Sequence, residues 1–236
     1  LWLIIGVVMV NCKRKIWFDV KNTIIKVLLE VLSPNRCQRC GLKGESLCGR
    51  CKKYLLGTNP GYVVTSVAGF SRVIMGGVKE GILSEMVKNF KYQSQRNLAE
   101  VLIWKIEKLL KRRLSEVEKV ILVPLPTINR HIRERGFDHV KYLSEFLRGE
   151  VRVQQVLART NKTVQVGKDA ETRQLQAKDA YMIRREVMID KGTLYILFDD
   201  VWTTGASMRA AQEILREAGV RRIDALVIVS NDYIEK

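Results

Sequence analysis

The stretch that most constrains the fold is residues 194–207, Leu-Tyr-Ile-Leu-Phe-Asp-Asp-Val-Trp-Thr-Thr-Gly-Ala-Ser. Leu194 to Phe198 are apolar without alternation, which reads as a short strand buried on both faces, as in a parallel sheet. Asp199 and Asp200 stand where that strand ends, and Thr203-Thr204-Gly205-Ala206-Ser207 form a tight loop. Behind the loop, Met208, Ala211, Ile214, Leu215 and Ala218 recur at helical spacing, and Gly219 sits where a helix would stop. Strand, acidic pair, loop and helix in that order predict the α/β class, in which ligands lie beyond the carboxyl ends of the strands.

The residue types of the loop suggest its chemistry. Gly205 lets the backbone approach a ligand, and amides 204–207 at a helix start, with the positive end of the helix dipole, suit a phosphate. Thr203, Thr204 and Ser207 add hydroxyl donors. Asp199 and Asp200 are wrong for a phosphate but right for ribose hydroxyls, or for a magnesium ion held mostly by water. The combination describes a sugar phosphate such as a ribose 5-phosphate. The blander reading is a solvated turn followed by a helix cap; it explains each piece better than it explains the whole string. Trp202 suits either stacking on a base or sugar, or the core.

A second constellation lies upstream. Cys37-Gln-Arg-Cys40 and Cys48-Gly-Arg-Cys51 are two CxxC pairs separated by Gly41–Leu47. Each offers two thiolates on a tight knuckle, and together they complete a tetrahedral four-cysteine site for structural zinc. Lys43, Arg50, Lys52 and Lys53 would offset its negative charge. Disulfides and an iron–sulfur cluster are the rival readings. Against disulfides, no secretory signal is visible and Cys12 is left over.

The 236 residues, 47% hydrophobic, suffice for one substantial domain and a small appendage. Lys+Arg 41 against Asp+Glu 25 gives a net charge of +16, which favours polyanionic partners: nucleic acid, a pyrophosphorylated substrate or an acidic membrane surface. The charges are scattered, which weakens the nucleic-acid reading. Leu1 to Val10 are apolar apart from Gly6, and Lys13-Arg14-Lys15 follow; ten residues are too few to span a bilayer. A start at Leu is read either as a truncated sequence, with a cut-off membrane anchor as the lesser alternative, or as a mis-assigned start with Met9 as the candidate initiator; the sequence leaves open whether residues 1–8 belong to the native protein. No stable membrane span is expected, and the location expected is cytoplasmic. The expected division is an apolar segment and helix over 1–35, the zinc knuckle over 36–56 and the main domain over 60–236.

Along the remaining chain, 16–32 fits a helix ended by Ser33-Pro34. Tyr62–Phe70 reads as a strand. Gly76-Gly77 and Gly81 predict a hairpin, with a helix after it. Lys88, Lys91 and Arg96 form a basic cluster around Phe90 and Tyr92, and 98–114 reads as an amphipathic helix. Val120–Val123 is a second buried strand, ended by Pro124-Leu-Pro126. Beyond it, Arg130, His131, Arg133 and Arg135 lie within six residues and are suited to clamp a pyrophosphate. Gln165, Arg173 and Gln176 fall in a polar segment able to cap a site, and Ile223–Val229 is a last buried strand.

Several of these segments carry a family resemblance. The string Phe198-Asp199-Asp200, two residues, Thr203-Thr-Gly-Ala-Ser207 resembles the phosphoribosyl-pyrophosphate (PRPP) motif of type I phosphoribosyltransferases. With the double CxxC, Lys88-Asn-Phe-Lys91-Tyr92, Pro124-Leu-Pro126, Arg133-Glu-Arg-Gly-Phe137 and Gln165 with Arg173, the chain is similar to the ComF (competence protein F) family. It departs from that family at Asp138-His139, where Asn-Gln is usual, and at Thr127-Ile-Asn129, where Leu-His-Pro is usual. The resemblance implies a mainly parallel sheet of the type I phosphoribosyltransferase kind. It also implies PRPP with magnesium as ligands and displacement of pyrophosphate by a nitrogen nucleophile. In that scheme Asp199 and Asp200 hold the ribose hydroxyls, 203–207 the 5-phosphate, Arg133 or Arg135 the pyrophosphate, and Lys88 and Lys91 belong to the ligand site. His131 and His139 are general-base candidates by type alone. The resemblance also implies a role in DNA uptake and natural transformation or in nucleotide metabolism. The alternative, from another class, is a non-enzymatic factor that binds single-stranded DNA or DNA-uptake and replication proteins, or senses PRPP.

Overall fold

The computed structural model describes residues 36–92, 95–160 and 180–231. The helix expected over 16–32, Cys12, and the segment with Gln165, Arg173 and Gln176 lie outside these residues. The chain divides into two compact units, residues 1–48 and 49–236.

The first unit holds the first CxxC and Cys48. The amide of Cys37 donates to the Leu42 carbonyl at 2.8 Å, that of Gly41 to the Cys37 carbonyl at 2.8 Å, and that of Gln38 to the Ser46 carbonyl at 3.1 Å. These bonds curl the first CxxC into a tight turn.

The second unit is an α/β fold. Its elements are α1 (Gly49–Thr58), β1 (Tyr62–Val67), β2 (Phe70–Met75), α2 (Gly81–Tyr92), α3 (Ala99–Glu116), β3 (Val120–Pro124), α4 (Asn129–Arg135), α5 (His139–Phe146), β4 (Arg152–Val153), β5 (Leu157–Arg159), β6 (Tyr181–Ile183), β7 (Leu194–Trp202), α6 (Ala206–Glu217) and β8 (Arg222–Ser230). Among the described residues, six strands form one sheet in the order β1-β2-β8-β7-β3-β4, and β5 pairs with β6 in a second, two-stranded sheet. Only β1–β2 is antiparallel in the large sheet; the other four pairings are parallel. The expected mainly parallel α/β sheet is therefore what the structure shows.

Strand alternation builds two cores. Tyr195, Leu197, Ala225 and Val227 pack with Met208, Ala211 and Leu215 of α6 and with Leu157 and Tyr181 of the small sheet. Ile196, Phe198 and Leu226, also buried, point to the opposite face. There α3 and α5 meet the sheet. This double coverage explains the uninterrupted apolar run of β7.

Two expectations are corrected. Residues 62–70 are not one strand; β1 and β2 form a hairpin whose turn is Ala68-Gly69, both at positive φ, the conformation a two-residue hairpin demands. Gly76-Gly77 is not the turn. A Cβ at Gly76 would stand 2.4 Å from the Ile228 carbonyl oxygen and one at Gly77 2.3 Å from Asn59 Oδ1, so these glycines serve close approach. Second, β7 does not end before the acidic pair but runs nine residues, to Trp202. It pairs with β8 as far as Trp202↔Ser230, whereas its pairing with β3 stops at Pro124↔Phe198. Beyond Phe198 one edge of β7 therefore lacks its β3 neighbour.

That open edge coincides with a topological switch point. From β3 the chain leaves through α4 and α5 to β4 on one side; from β7 it leaves through α6 to β8 on the other. Loops departing in opposite directions from neighbouring strands leave a crevice between them.

Candidate functional site

The crevice is a cavity of about 240 Å3. Its walls include Asp199, Asp200 and residues 201–208 from β7 and α6, Leu125 to Ile128 beyond β3, His131 and Arg135 of α4, His139 of α5, Lys91 of α2, and Arg159 and Tyr181 of the small sheet. Of the residues singled out in the sequence, Thr203, Thr204, Gly205, Ala206, Ser207, Asp199, Asp200, Lys91 and Arg135 line it. Lys88 and Arg133 are exposed and outside the lining.

The reason for this sorting is helical. The segment with Arg130, His131, Arg133 and Arg135 is the helix α4, closed by Gly136 at φ 77. His131 and Arg135, four residues apart, share the face toward the cavity. Arg130 points away and pairs with Glu134 at 2.8 Å. On α2, Lys91 shares its face with the buried Val87, again four residues back.

The phosphate-type loop has the expected form. Gly205 precedes α6 at φ 73, and a Cβ there would lie 2.4 and 2.6 Å from the Trp202 ring and 2.9 Å from Arg209 Nη1. Arg209 donates to the Thr204 carbonyl at 2.8 Å, and the amide of Ala206 donates to Thr204 Oγ1 at 3.4 Å. Thr203, Thr204 and Ser207 are exposed at the start of the helix. Trp202 belongs to the core, edge-on to Phe70 with ring centres 5.9 Å apart.

Because successive strand residues face opposite ways, the acidic pair is split. Asp200 is buried; its Oδ2 lies 2.5 Å from Lys91 Nζ and 2.8 Å from His139 Nε2. Neither approach has hydrogen-bond geometry, so Oδ2 is a buried oxygen surrounded by charge but not directionally bonded. Asp199 is half-buried, and one of its oxygens accepts from the Asp200 amide at 2.8 Å. Burial pushes the Asp199 carboxyl up to about 6, against the pull of Lys91 and Arg159. Burial likewise pushes Lys91 down to about 8, opposed by Asp199 and helped by Arg135 and Lys79.

His139 is buried, and desolvation with the nearby Lys91 and Arg135 holds its pKa far below the ordinary histidine value, so it is neutral. Arg135 Nη1 lies 3.0 Å from Nδ1 and 3.4 Å from Nε2, so the guanidinium donates to whichever nitrogen is unprotonated; the Asp200 carboxylate oxygen 2.8 Å from Nε2 favours the proton there and Nδ1 as the acceptor. Arg135 also donates to the Tyr92 hydroxyl at 3.1 Å and stacks over that ring at 4.9 Å. Its strongly lowered pKa, set by burial and the neighbouring cations, makes His139 a poor base for substrate.

Thr127 and Asp138, which stand at the two places where the sequence leaves the ComF pattern, meet each other. The Thr127 hydroxyl donates to Asp138 Oδ1 at 2.8 Å, and the same oxygen caps α5 by accepting from the Lys141 amide at 3.1 Å. The pair ties the loop after β3 to the start of α5.

Arg159 and Tyr181 were not distinguished by the sequence. Arg159 donates to the Pro126 carbonyl at 3.0 Å and to the Tyr181 hydroxyl at 3.2 Å, and stacks over the Tyr181 ring at 5.0 Å. The available signal was the alternation in Leu157-Ala-Arg159 and Tyr181-Met-Ile183, too short to mark a sheet.

At the knuckle, the sulfurs of Cys37, Cys40, Cys48 and Cys51 lie within 4.8 Å of one another. None of the four is in a disulfide, and Cys40 Sγ and Cys48 Sγ are 3.7 Å apart. A disulfide requires about 2 Å; the edge of a tetrahedron with Zn–S bonds of about 2.3 Å is roughly 3.8 Å. Burial raises the Cys37 thiol, but amides of Cys48, Cys40 and Arg39 outweigh it and bring the pKa to about 6, favouring a thiolate. The four cysteines fit a closed structural metal centre.

Among the described residues no helix is long and apolar enough to cross a membrane. No protein-family model matches the chain, and no curated protein does. The structure is similar to adenine phosphoribosyltransferase from Saccharomyces cerevisiae (19% identity, 61% of this chain and 74% of that one, TM-score 0.40). It is also similar to a hypoxanthine phosphoribosyltransferase from Staphylococcus aureus (10%, 58% and 70%, TM-score 0.38) and a purine phosphoribosyltransferase from Pyrococcus horikoshii (14%, 57% and 86%, TM-score 0.32).

Proposed function

We propose that this protein binds PRPP with magnesium at the crevice between β3 and β7, as a phosphoribosyltransferase-like protein of the ComF type. The observation that carries the reading is the placement of the 203–207 loop at a helix start beside Asp199, at the switch point of the sheet. The amides and hydroxyls at this helix start suit a 5-phosphate, Asp199 suits ribose hydroxyls, and Arg135, His131 and Arg159 on the opposite walls suit a pyrophosphate. Asp199 and Asp200 would hold the magnesium ion, and the buried, undirected Oδ2 of Asp200 fits that use. When bound, the ion would neutralise charge on the phosphates.

The chemistry for which this arrangement is suited is glycosyl transfer. The bond between ribose C1 and pyrophosphate breaks, a bond from C1 to an acceptor nitrogen forms, and the nitrogen's proton leaves to solvent or to the departing pyrophosphate. The residues act by positioning and charge neutralisation. The cytoplasm is the proposed setting, with DNA uptake or nucleotide metabolism as the process and zinc at the four cysteines.

Calorimetry of the zinc-loaded protein with PRPP and Mg2+ tests this, with wild type beside Asp199→Asn. Asp199 is chosen because replacing Asp200 would also leave Lys91 without its carboxylate. Saturable binding in wild type that is lost in the variant is expected; equal binding in both would remove the site assignment.

The alternative, a nucleic-acid-binding factor, is favoured by one surface. Arg96 stacks over Phe137 at 5.1 Å and Arg135 over Tyr92, while Tyr92 and Phe146 are exposed. Cations and aromatic rings side by side suit stacked bases. On that reading single-stranded DNA binds with an affinity that falls steeply with salt.

A further inference from the structure

We propose that the Lys91 ammonium is a resident counter-ion at the acidic pair, competing with a divalent metal ion for the same oxygen of Asp200. Lys91 Nζ lies 2.5 Å from Asp200 Oδ2, and the two side chains are 12% and 5% exposed. The contact is therefore a desolvated charge pair and not a loose surface bridge.

Its geometry is the second observation. Oδ2 is buried and has no partner in hydrogen-bond geometry, although two nitrogens stand within 2.8 Å. What holds Lys91 there is radial Coulomb attraction, which a spherical cation supplies equally well. A hard divalent ion seeks such carboxylate oxygens. The ammonium thus sits in a cation seat that it does not fill with directed bonds.

His139 does not extend that seat. The Asp200 carboxylate 2.8 Å from Nε2 favours the tautomer with its proton there, leaving Nδ1 to accept from Arg135, so Nε2 offers no lone pair to a metal. Although His139, Asp199 and Asp200 cluster within 4.8 Å, the donors open to an ion are the two carboxylates. Lys91 stands at one of them, in the last turn of α2, where the helix dipole favours a cation.

The consequence is a protein that holds divalent ions weakly until Lys91 is drawn away. A pyrophosphorylated sugar would give the ammonium a new partner and release Asp200. That step rests on the PRPP reading; the competition itself does not.

The test uses the zinc-loaded full chain and Mn2+ alone, without sugar phosphate, with free Mn2+ followed by electron paramagnetic resonance at fixed ionic strength. Lys91→Gln is expected to bind one further Mn2+ about tenfold more tightly than wild type or better. Lys91→Arg, which keeps the charge, should match wild type, and adding Asp199→Asn and Asp200→Asn to Lys91→Gln should abolish the gain. Lys91→Met, of similar volume, replaces Lys91→Gln if the latter loses its near-ultraviolet dichroism. Affinity within about twofold of wild type in a folded neutral variant would overturn the proposal, as would an equal gain in Lys91→Arg or a gain that survives loss of both carboxylates. Failure of PRPP to bind the wild type would overturn the proposed function while leaving the Mn2+ result standing.

Discussion

Asp199 and Asp200 are identical in chemistry and adjacent in sequence, yet the fold gives them opposite energetics. The folded state raises the Asp199 pKa to about 6, so it binds more protons than the unfolded chain between the ordinary carboxylate value and that point. Asp199 therefore contributes stability that falls as pH rises from about 4 to about 6, opposite in sign to the contribution of the buried neutral His139, so Asp199→Asn should make stability rise more steeply with pH over that window and be neutral or stabilising at about pH 7. Asp200→Asn strands the Lys91 ammonium and should cost about 3 kcal/mol, read as a shift in urea midpoint with m unchanged. Gly205 is constrained twice, by φ 73 and by the Trp202 ring 2.4 Å from where its Cβ would stand. Gly205→Ala should cost about 1–3 kcal/mol on the same assay and weaken any phosphate ligand of the loop.

At the scale of elements, α3 shows how a buried charge reports on packing. Lys105 is fully buried and donates its Nζ to the Asn59 carbonyl; desolvation lowers its pKa to about 8. The charged form is thus penalised in the folded state, and the penalty is relieved as pH passes from about 8 to the ordinary lysine value. Lys105 should contribute a rise in stability over that window of up to about 1.4 kcal/mol per pH unit, on top of the like contribution of Lys91, and Lys105→Met should remove the Lys105 share while leaving that of Lys91. Chemical denaturation at three pH values, about 7.5, 8.5 and 9.5, checks it. Further along the same helix, Arg113 Nε lies 2.7 Å from Oδ2 of the fully buried Asp224 of β8. Arg113→Met should be strongly destabilising, by about 3–5 kcal/mol, and Arg113→Met with Asp224→Leu should recover most of that, since removing both charges leaves none unpaired. α4 gives the complementary lesson. Its four cationic or titratable positions were equivalent as a composition, and helix periodicity turned His131 and Arg135 toward the cavity and Arg130 away.

For the whole molecule, the sheet order decides where chemistry can occur, and the cysteine cluster should depend on its metal. Chelation at neutral pH should release about one zinc per chain and expose the thiolates of Cys37, Cys40, Cys48 and Cys51 to a thiol reagent. Slow, metal-independent thiol reactivity would contradict a zinc centre. The net charge of +16 sets a background attraction for polyanions, so a titration with any phosphorylated ligand needs a salt series to separate the site from the surface.

Features set by neighbours along the chain are legible in the residues alone. The unbroken apolar run of β7, the glycine loop into α6, and the two CxxC turns each follow from local periodicity, backbone freedom or a four-residue turn. Half of the residues on the cavity wall, 199–208, could be named in the same way, because the loop between a strand and a helix is itself a local object. What depends on distant partners emerges only in the folded chain. The extension of β7 through the acidic pair required β8 to continue where β3 had stopped. The direct ion pair at Asp200 rather than Asp199 required Lys91, more than a hundred positions upstream. Arg159 and Tyr181 became wall residues because two three-residue strands paired across a long intervening segment. The physical reason is common to all three. A side chain's charge state and direction are set by what desolvates it and what stands opposite, and neither is encoded in the residues beside it.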